Sequence, residues 1–287
     1  MSLQIIQERL DRYNCQTPLE EEQALKEITQ EIILLALARR HFFDQAEFHG
    51  GTALRILYQL PRFSEDLDFA LLKPDSSFQL TPYLREITEE LSAFGYEFAI
   101  NDRSQTDSAV RKAFLKENSI GKLLILKTNS LKKEIKIKLE VDTNPPLGAS
   151  TEIKYLNFPS SFGIQVKDLP SSFAGKIHAL LCRKYLKGRD WYDFIWYVAR
   201  KIQPNLVLLK NALQQIGPWQ NQDLTIDDNW FYQALKNKIE AIQWKQAAMD
   251  VAPFLNLQEQ KELKLWNTTF FLAQLDQVVQ QKNAPAK

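Results

Sequence analysis

The sequence predicts an α+β fold, in which a mixed sheet with flanking helices is followed by a C-terminal helical bundle. Two patterns predict it. Between about residues 97 and 166, runs such as EIKIKLEVDT alternate apolar and polar residues with period two, as half-buried strands do. Beyond residue 201 nearly everything has helical periodicity, in segments 204–216, 228–243 and 258–282. We therefore predict two domains, residues 1–166 and residues 167–287.

The N-terminal part also contains helices. Residues 18–40 have helical periodicity, residues 42–48 lead into a short strand that ends at His49, and Gly50-Gly51 breaks this strand. A short helix from Thr52 to Leu60 stops before Pro61, a strand follows at 66–72, and a helix follows at 82–95. At the start of the second domain, helices 171–187 and 189–200 flank Gly188.

Composition sets the broad class. The chain has 287 residues, a net charge of +1, 45% hydrophobic residues and 25% charged residues, which is normal for a globular protein. Its two cysteines, Cys15 and Cys182, match no metal spacing, and they favour a reducing, cytoplasmic setting. No apolar run approaches the roughly 18 residues that span a bilayer, and the N-terminus does not look like a signal peptide, so we expect no membrane association.

The first group of candidate site residues surrounds two adjacent glycines. Gly50 and Gly51 lie between a strand and a helix, where glycine lets the backbone adopt a positive φ and approach a ligand closely. The helix that starts at Thr52 would point its free N–H groups back at this turn, which makes a ready anion site. The alternative is a tight strand–helix turn without a ligand.

Two aspartates follow this turn. Asp66 and Asp68 alternate on a predicted strand, so both carboxylates point to one face. Adjacent carboxylates repel, and a divalent cation such as Mg²⁺ relieves the repulsion while leaving room for substrate phosphates. The alternative is an exposed strand edge with two solvated acids.

A third acid completes the cluster if two metal ions are held. Glu140 and Asp142 lie on the polar face of a later strand, and either could serve if that strand neighbours residues 66–72. We prefer Glu140. The alternative is a surface acid that balances Lys136 and Lys138.

The second group of candidate residues lies on two helices. Lys176, Ala179 and Arg183 share one helix stripe, and a lysine with an arginine in register suits a triphosphate. Asp190 and Asp193 share a face of the next helix and could orient these cations. The alternative is a charged helix hairpin with salt bridges such as Arg183–Asp190.

In this order the motifs HGGTAL, RFSEDLDF, KIHALLCR and RDWYDF resemble the AbiEii/AbiGii toxin family of abortive-infection and type IV toxin–antitoxin systems, within the polymerase-β-like nucleotidyltransferases. The resemblance covers about residues 45–200. It implies that Ser64 and Asp66 belong to the active-site motif, that Asp68 is the second metal ligand and that Lys176 meets phosphates. Asp190 matches the acidic residue that follows, with Asp193 as a rival.

The resemblance implies Mg²⁺-dependent transfer of a nucleotide from a nucleoside triphosphate (NTP), in some members to the 3′ end of transfer RNA, and a cognate antitoxin as partner. We expect Gly50, Gly51 and Thr52 to hold the β- and γ-phosphates, and Lys176 with Arg62 or Arg183 to neutralise charge as pyrophosphate leaves. Asp66, Asp68 and Glu140 would bind the metal.

Two alternatives stay open from the sequence. The acceptor could be a protein hydroxyl or a small molecule, or the chain could be a non-catalytic binding protein on the same fold. Between Arg111 and Lys138 there are nine basic residues and two acidic ones, which favours RNA as the acceptor. The alternative for this stretch is a solvated basic face.

Overall fold

The protein is described by a computed structural model that covers residues 2–103, 109–117 and 135–282. The predicted strand KLLILKT and much of the basic stretch 111–138 lie outside these residues. The described helices are α1 (Ser2–Asp11), α2 (Pro18–Arg39), α3 (Gly50–Tyr58), α4 (Thr81–Ala93), α5 (Leu169–Cys182), α6 (Gly188–Ala199), α7 (Leu206–Gln215), α8 (Asp228–Ala241), α9 (Trp244–Val251), α10 (Leu257–Glu262) and α11 (Thr268–Lys282). The described strands are β1 (Ala46–His49), β2 (Asp66–Leu71), β3 (Phe98–Asp102), β4 (Val110–Glu117), β5 (Ile135–Asp142), β6 (Thr151–Leu156) and β7 (Phe162–Lys167).

The strands form one mixed sheet in the order β3-β4-β5-β2-β1-β7-β6. The central strand β2 runs antiparallel to β1 and parallel to β5. The predicted alternation on β5 is confirmed, because Ile135, Ile137, Leu139 and Val141 are all buried. This mixed sheet with flanking helices is the predicted fold class.

Helix α2 is the most deeply buried helix of this part. Thr17 caps it through a reciprocal pair of hydrogen bonds with Glu20, which explains why it begins at Pro18. Its apolar residues, among them Ile28 and Ile32, join the strands in one hydrophobic core. Several of its polar residues are buried as well, among them Glu27 and Gln30.

Several boundaries differ from the prediction, and helix α9 was not predicted. Residues 42–44 form a single 3-10 turn, and helix α3 begins at Gly50 instead of Thr52. Helix α5 ends at Cys182, because Arg183 adopts an extended conformation with φ −69° and ψ 131°. The single helix predicted at 258–282 is two helices, α10 and α11. The second is capped by the side chain of Asn267, which accepts a hydrogen bond from the backbone N–H of Phe270 at 2.9 Å.

The chain divides into two compact units. The sheet unit comprises Met1–Pro145 and Thr151–Val166, and the helical unit comprises Pro146–Ser150 and Lys167–Lys287. The segment Pro146–Ser150 joins the helical unit because Asn205 donates to the Gly148 carbonyl and Asn211 donates to the Leu147 carbonyl, both at 2.8 Å. Among the residues described, no helix combines the length and the apolar character that crossing a bilayer requires.

Candidate functional site

Strand β2 presents the two predicted aspartates on one face. Asp66 and Asp68 are half-buried, whereas Leu67 and Phe69 between and after them are buried on the other face. Because β2 lies between β1 and β5, the two carboxylates occupy the middle of the sheet and not an exposed edge. The alternative of two fully solvated acids on an edge strand is therefore wrong.

Gly50 packs against one of these carboxylates. His49 is the register partner of Asp68 across the β1–β2 pair, so the chain leaves β1 directly beside that side chain. Gly50 has a φ of +81°, and a Cβ added to it would lie 2.5 Å from Asp68 Oδ2. Only glycine combines this backbone conformation with so close an approach. The turn therefore packs its backbone directly against the Asp68 carboxylate.

Gly51 has a similar relation to the RFS motif. A Cβ on Gly51 would lie 2.5 Å from a terminal guanidinium nitrogen of Arg62 and 2.9 Å from Ser64 Oγ. The next residue, Thr52, is buried, and its hydroxyl donates a hydrogen bond to the backbone carbonyl of Asp66. The two glycines and Thr52 thus bring the N-terminus of α3 against the residues that precede and begin β2. All the site residues predicted before residue 70 lie together.

Glu140 is the β5 residue opposite Asp68 in the parallel β2–β5 register. Its carboxylate forms salt bridges with Lys112 at 3.0 Å and with Lys138 at 2.6 Å. Burial tends to raise the pKa of Glu140, but the two lysines lower this pKa by more. Glu140 is therefore next to the aspartate pair, and it is already neutralised by two cations. The alternative of a charge-balancing acid named Lys136 and Lys138, and of these two lysines Lys138 forms a salt bridge with Glu140.

Lys138 also interacts with the aspartates. Burial lowers its pKa, but the hydrogen bond to Glu140 and the charges of Glu140, Asp66 and Asp68 raise it by more, so the net pKa lies above the usual value. The sequence interpretation did not give Lys138 a role in the site. Lys138 lies opposite Asp66 because β2 pairs with β5. No local sequence motif predicts this pairing, so the position of Lys138 could not be predicted.

The donors at this site fit Mg²⁺. Asp66 and Asp68 supply carboxylate oxygens, the ligands that Mg²⁺ prefers, and both lie half-buried on one face of β2. Within residues 2–103, 109–117 and 135–282, no group of three or more acidic, histidine or cysteine side chains is arranged as a metal site. Glu140 as a third ligand stays a prediction, and so does Asp142, whose Oδ1 accepts a hydrogen bond from Asn144 N at 2.9 Å.

Polar residues of α2 support the loop that precedes β2. The Gln30 side chain donates to the backbone carbonyls of Ser64 and Glu65 at 3.2 and 2.9 Å. Arg55 of α3 pairs with Glu27 at 2.7 Å and donates to the carbonyls of Leu60 and Pro61. The sequence interpretation missed these residues, because the first half of α2 is rich in polar side chains and nothing in the sequence marks Glu27 and Gln30 as buried.

In the helical unit, Lys176 binds both predicted aspartates. Its ammonium lies 2.8 Å from Asp190 Oδ1 and 2.8 Å from Asp193 Oδ2, and Arg183 lies 2.7 Å from the other oxygen of Asp190. These contacts agree with the prediction that the aspartates orient the cations, but Arg183–Asp190 is also the salt bridge named in the alternative of a charged helix hairpin. A role for the cluster at a phosphate stays a prediction. The choice between Asp190 and Asp193 does not arise for this contact, because Lys176 binds both.

Asp190 is the centre of this ion cluster. It is 3% exposed, and burial tends to raise its pKa, but Lys176 and Arg183 lower it by more, so the carboxylate remains charged. Lys176 is held rigidly by two buried acids, whereas the Arg183 side chain is one-quarter exposed. The cluster contains two cations and two acids, and Arg183 is the more exposed of the two cations.

The fold is shared with solved structures of other proteins. Two solved structures from Helicobacter pylori have this fold. One, described as a candidate nucleotidyltransferase, matches with a TM-score of 0.53 and 16% identity over 91% of this chain and 97% of that chain. The other, JHP933, matches with a TM-score of 0.52 and 18% identity over 92% of this chain and 96% of that chain.

The family follows from the sequence. The model of the family described as nucleotidyl transferase AbiEii toxin, type IV TA system, matches residues 32–277. Because this match covers most of the chain and includes every predicted site residue, the chain belongs to the AbiEii family of nucleotidyltransferase toxins of type IV toxin–antitoxin systems. No curated protein matches the chain.

Proposed function

We propose that the protein transfers a nucleoside monophosphate from an NTP to an RNA hydroxyl, with Mg²⁺ as cofactor and the 3′ end of transfer RNA as acceptor. The observation that carries the proposal is the placement of Asp66 and Asp68 on one face of β2 directly beside the Gly50 turn. As a toxin it would act in the cytoplasm, where NTP and transfer RNA are present, in phage defence and under the control of a cognate antitoxin protein.

The sheet unit supplies groups for the triphosphate and the metal. The backbone N–H groups at the start of α3, from Gly50 to Thr52, bind phosphate oxygens, as free helix N-termini do. Arg62 and Ser64 lie against Gly51 and face the same turn. Asp66 and Asp68 hold Mg²⁺, and Glu140 is the residue we favour as a third ligand. When bound, Mg²⁺ neutralises charge on the phosphates and orients them for in-line attack.

The reaction needs mainly positioning and charge neutralisation. The acceptor hydroxyl oxygen forms a bond to the α-phosphorus while the bond between the α-phosphorus and the bridging oxygen breaks. Pyrophosphate leaves with the electron pair, and the hydroxyl proton passes to solvent. Lys176 and Arg183 of the helical unit are proposed to neutralise phosphate charge. Asp190 and Asp193 keep Lys176 in one orientation.

The test is nucleotide transfer by the full chain with each α-labelled NTP, Mg²⁺ and total RNA or cell lysate. We expect Asp66→Asn and Asp68→Asn to abolish labelling of transfer RNA. The matched control is Asp44→Asn, which neutralises an exposed aspartate that contacts only His41 among the salt bridges of the described chain. Asp44→Asn should label RNA as the wild type does.

Other outcomes identify the alternatives. Label in protein would show that the acceptor is a protein. Label in a small molecule would show that the acceptor is a small molecule. Full activity of either aspartate variant would refute the metal site. No labelling under any condition, together with no Mg²⁺ binding, would favour a non-catalytic binding protein.

A further inference from the structure

A cavity of about 270 Å³ lies within the helical unit. It is bounded by the C-terminal end of α5, the loop 183–187, the first turn of α6, the end of α8 and the start of α9. The lining residues that matter here are Arg183, Lys184, Lys187, Lys238, Trp191 and Gln243. Three of these, Lys184, Lys187 and Lys238, have no role in the proposed function.

The lining has an excess of positive charge. It contains four cationic side chains and one acid, Asp190, which is already shared between Lys176 and Arg183. Within the described part of the chain, Lys187 and Lys238 form no salt bridge. An anion in the cavity would therefore meet cations whose charge is not yet balanced.

The surroundings of Lys187 disfavour its protonated, positively charged form. Lys187 is half-buried, and burial lowers its pKa. Asp190 raises this pKa, whereas the charges of Arg189, Lys176 and Arg183 lower it further. Bringing these cations close together is unfavourable unless a negative group lies between them. A bound anion would remove this repulsion.

The cavity also has an apolar wall and amide donors. The indole of Trp191 and the side chains of Leu180 and Ile242 line it together with the lysines, and Gln243 and Gln246 add amide groups to the lining. The volume is close to the lower limit of small-ligand pockets, roughly 300–1,000 Å³. This size suits one or two phosphate groups with an attached apolar or aromatic moiety.

We propose that this cationic pocket binds a phosphate ester, with Lys187 and Lys238 as ligands beside Arg183. The proposal rests on the proposed function in one respect, because Arg183 belongs to both. The phosphate has two possible sources, the polyphosphate of a nucleotide and the terminal phosphates of a single-stranded RNA. Both present the same chemistry to lysine, an anionic oxygen that accepts a charge-assisted hydrogen bond.

The test measures binding of inorganic tripolyphosphate by calorimetry. It uses the full chain with Asp66→Asn and with EDTA present, so neither turnover nor the metal site contributes. We expect Lys187→Gln with Lys238→Gln to raise the Kd at least tenfold. The matched control is Lys245→Gln, which removes an exposed charge on α9 outside the lining. It should change the Kd less than twofold.

Competition then separates the two sources. Displacement of tripolyphosphate by NTP assigns the pocket to the nucleotide, and displacement only by a short RNA assigns it to the acceptor. If the double variant unfolds, Lys238→Gln alone is tested, because Lys238 is half-exposed on α8 and its substitution should not disturb folding. We then expect the Kd for tripolyphosphate to rise about threefold.

Three results would overturn the proposal: equal binding by the lysine variants, an equal loss in Lys245→Gln, or no binding by the parent protein at millimolar tripolyphosphate. A failure of the proposed function would be seen in a different measurement. The wild type would then transfer no nucleotide, while the binding of tripolyphosphate and its loss in the lysine variants would be unchanged.

Discussion

Gly50→Ala perturbs the site with one methyl group. Gly50 has a φ of +81°, and the new Cβ would lie 2.5 Å from Asp68 Oδ2 and 3.1 Å from Asp68 Cβ. The substitution changes no charge and removes no hydrogen-bonding group. Its effect therefore reports whether the close approach of the turn to the Asp68 carboxylate matters for the reaction.

The magnitude follows from the geometry. A left-handed conformation costs an alanine about 1–2 kcal/mol, which would lower the melting temperature by several degrees. Ordinary contact needs about 3.5 Å, so the carboxylate must move by about 1 Å. Because a misplacement of about 1 Å at a reacting centre can cost roughly 10²-fold, we expect kcat to fall about 100-fold.

The assay is transfer from labelled NTP to the acceptor that the wild type labels, with thermal melting as the check on folding. Gly175→Ala is the matched control, because a Cβ at this position in α5 meets no heavy atom within 4 Å. We expect it to be slightly more stable, by roughly 0.5–1 kcal/mol, with unchanged transfer. A folded Gly50→Ala enzyme with more than half of the wild-type kcat would refute the reasoning.

Two further predictions concern stability. Asp190→Asn removes the charge that Lys176 and Arg183 bind, and breaking a buried ion pair costs roughly 3–5 kcal/mol. We therefore expect this variant to melt at a much lower temperature than Asp223→Asn, which changes an exposed aspartate. Equal melting temperatures of the two variants would contradict this prediction. Burial raises the pKa of Glu31 from 4.5 to about 7 despite its pairing with Arg9. The folded chain therefore holds a proton that the unfolded chain releases, and stability should fall by about 3 kcal/mol as pH rises from about 4.5 to about 7. Glu31→Gln should flatten this dependence in melts across that range, and an unchanged slope would exclude Glu31 as its source.

The parts of the fold with a local pattern could be predicted from the sequence. Period-two alternation predicted β5, and the Gly-Gly turn with the two aspartates predicted residues that the fold brings together. The break near Trp266 was not predictable from periodicity, because it depends on the Asn267 cap and on Trp266 packing into an aromatic cluster with Trp244 and Phe271. The sequence likewise contains no sign that the Pro146–Ser150 segment packs with the helical unit, because it is held by Asn205 and Asn211, which lie far away in sequence.

Glu140 shows how strand pairing changes the chemistry of a predicted ligand. The parallel register with β2 brings it beside Asp68, as a third metal ligand requires. The antiparallel register with β4 brings Lys112 opposite it, and Lys138 lies two residues away on β5. To bind a cation, this carboxylate must give up contacts with both lysines. Since Mg²⁺ is often held by only one or two carboxylates together with substrate phosphates and water, we infer that Asp66 and Asp68 suffice for the first metal ion. On this view Glu140 contributes only when the substrate draws the lysines towards its phosphates.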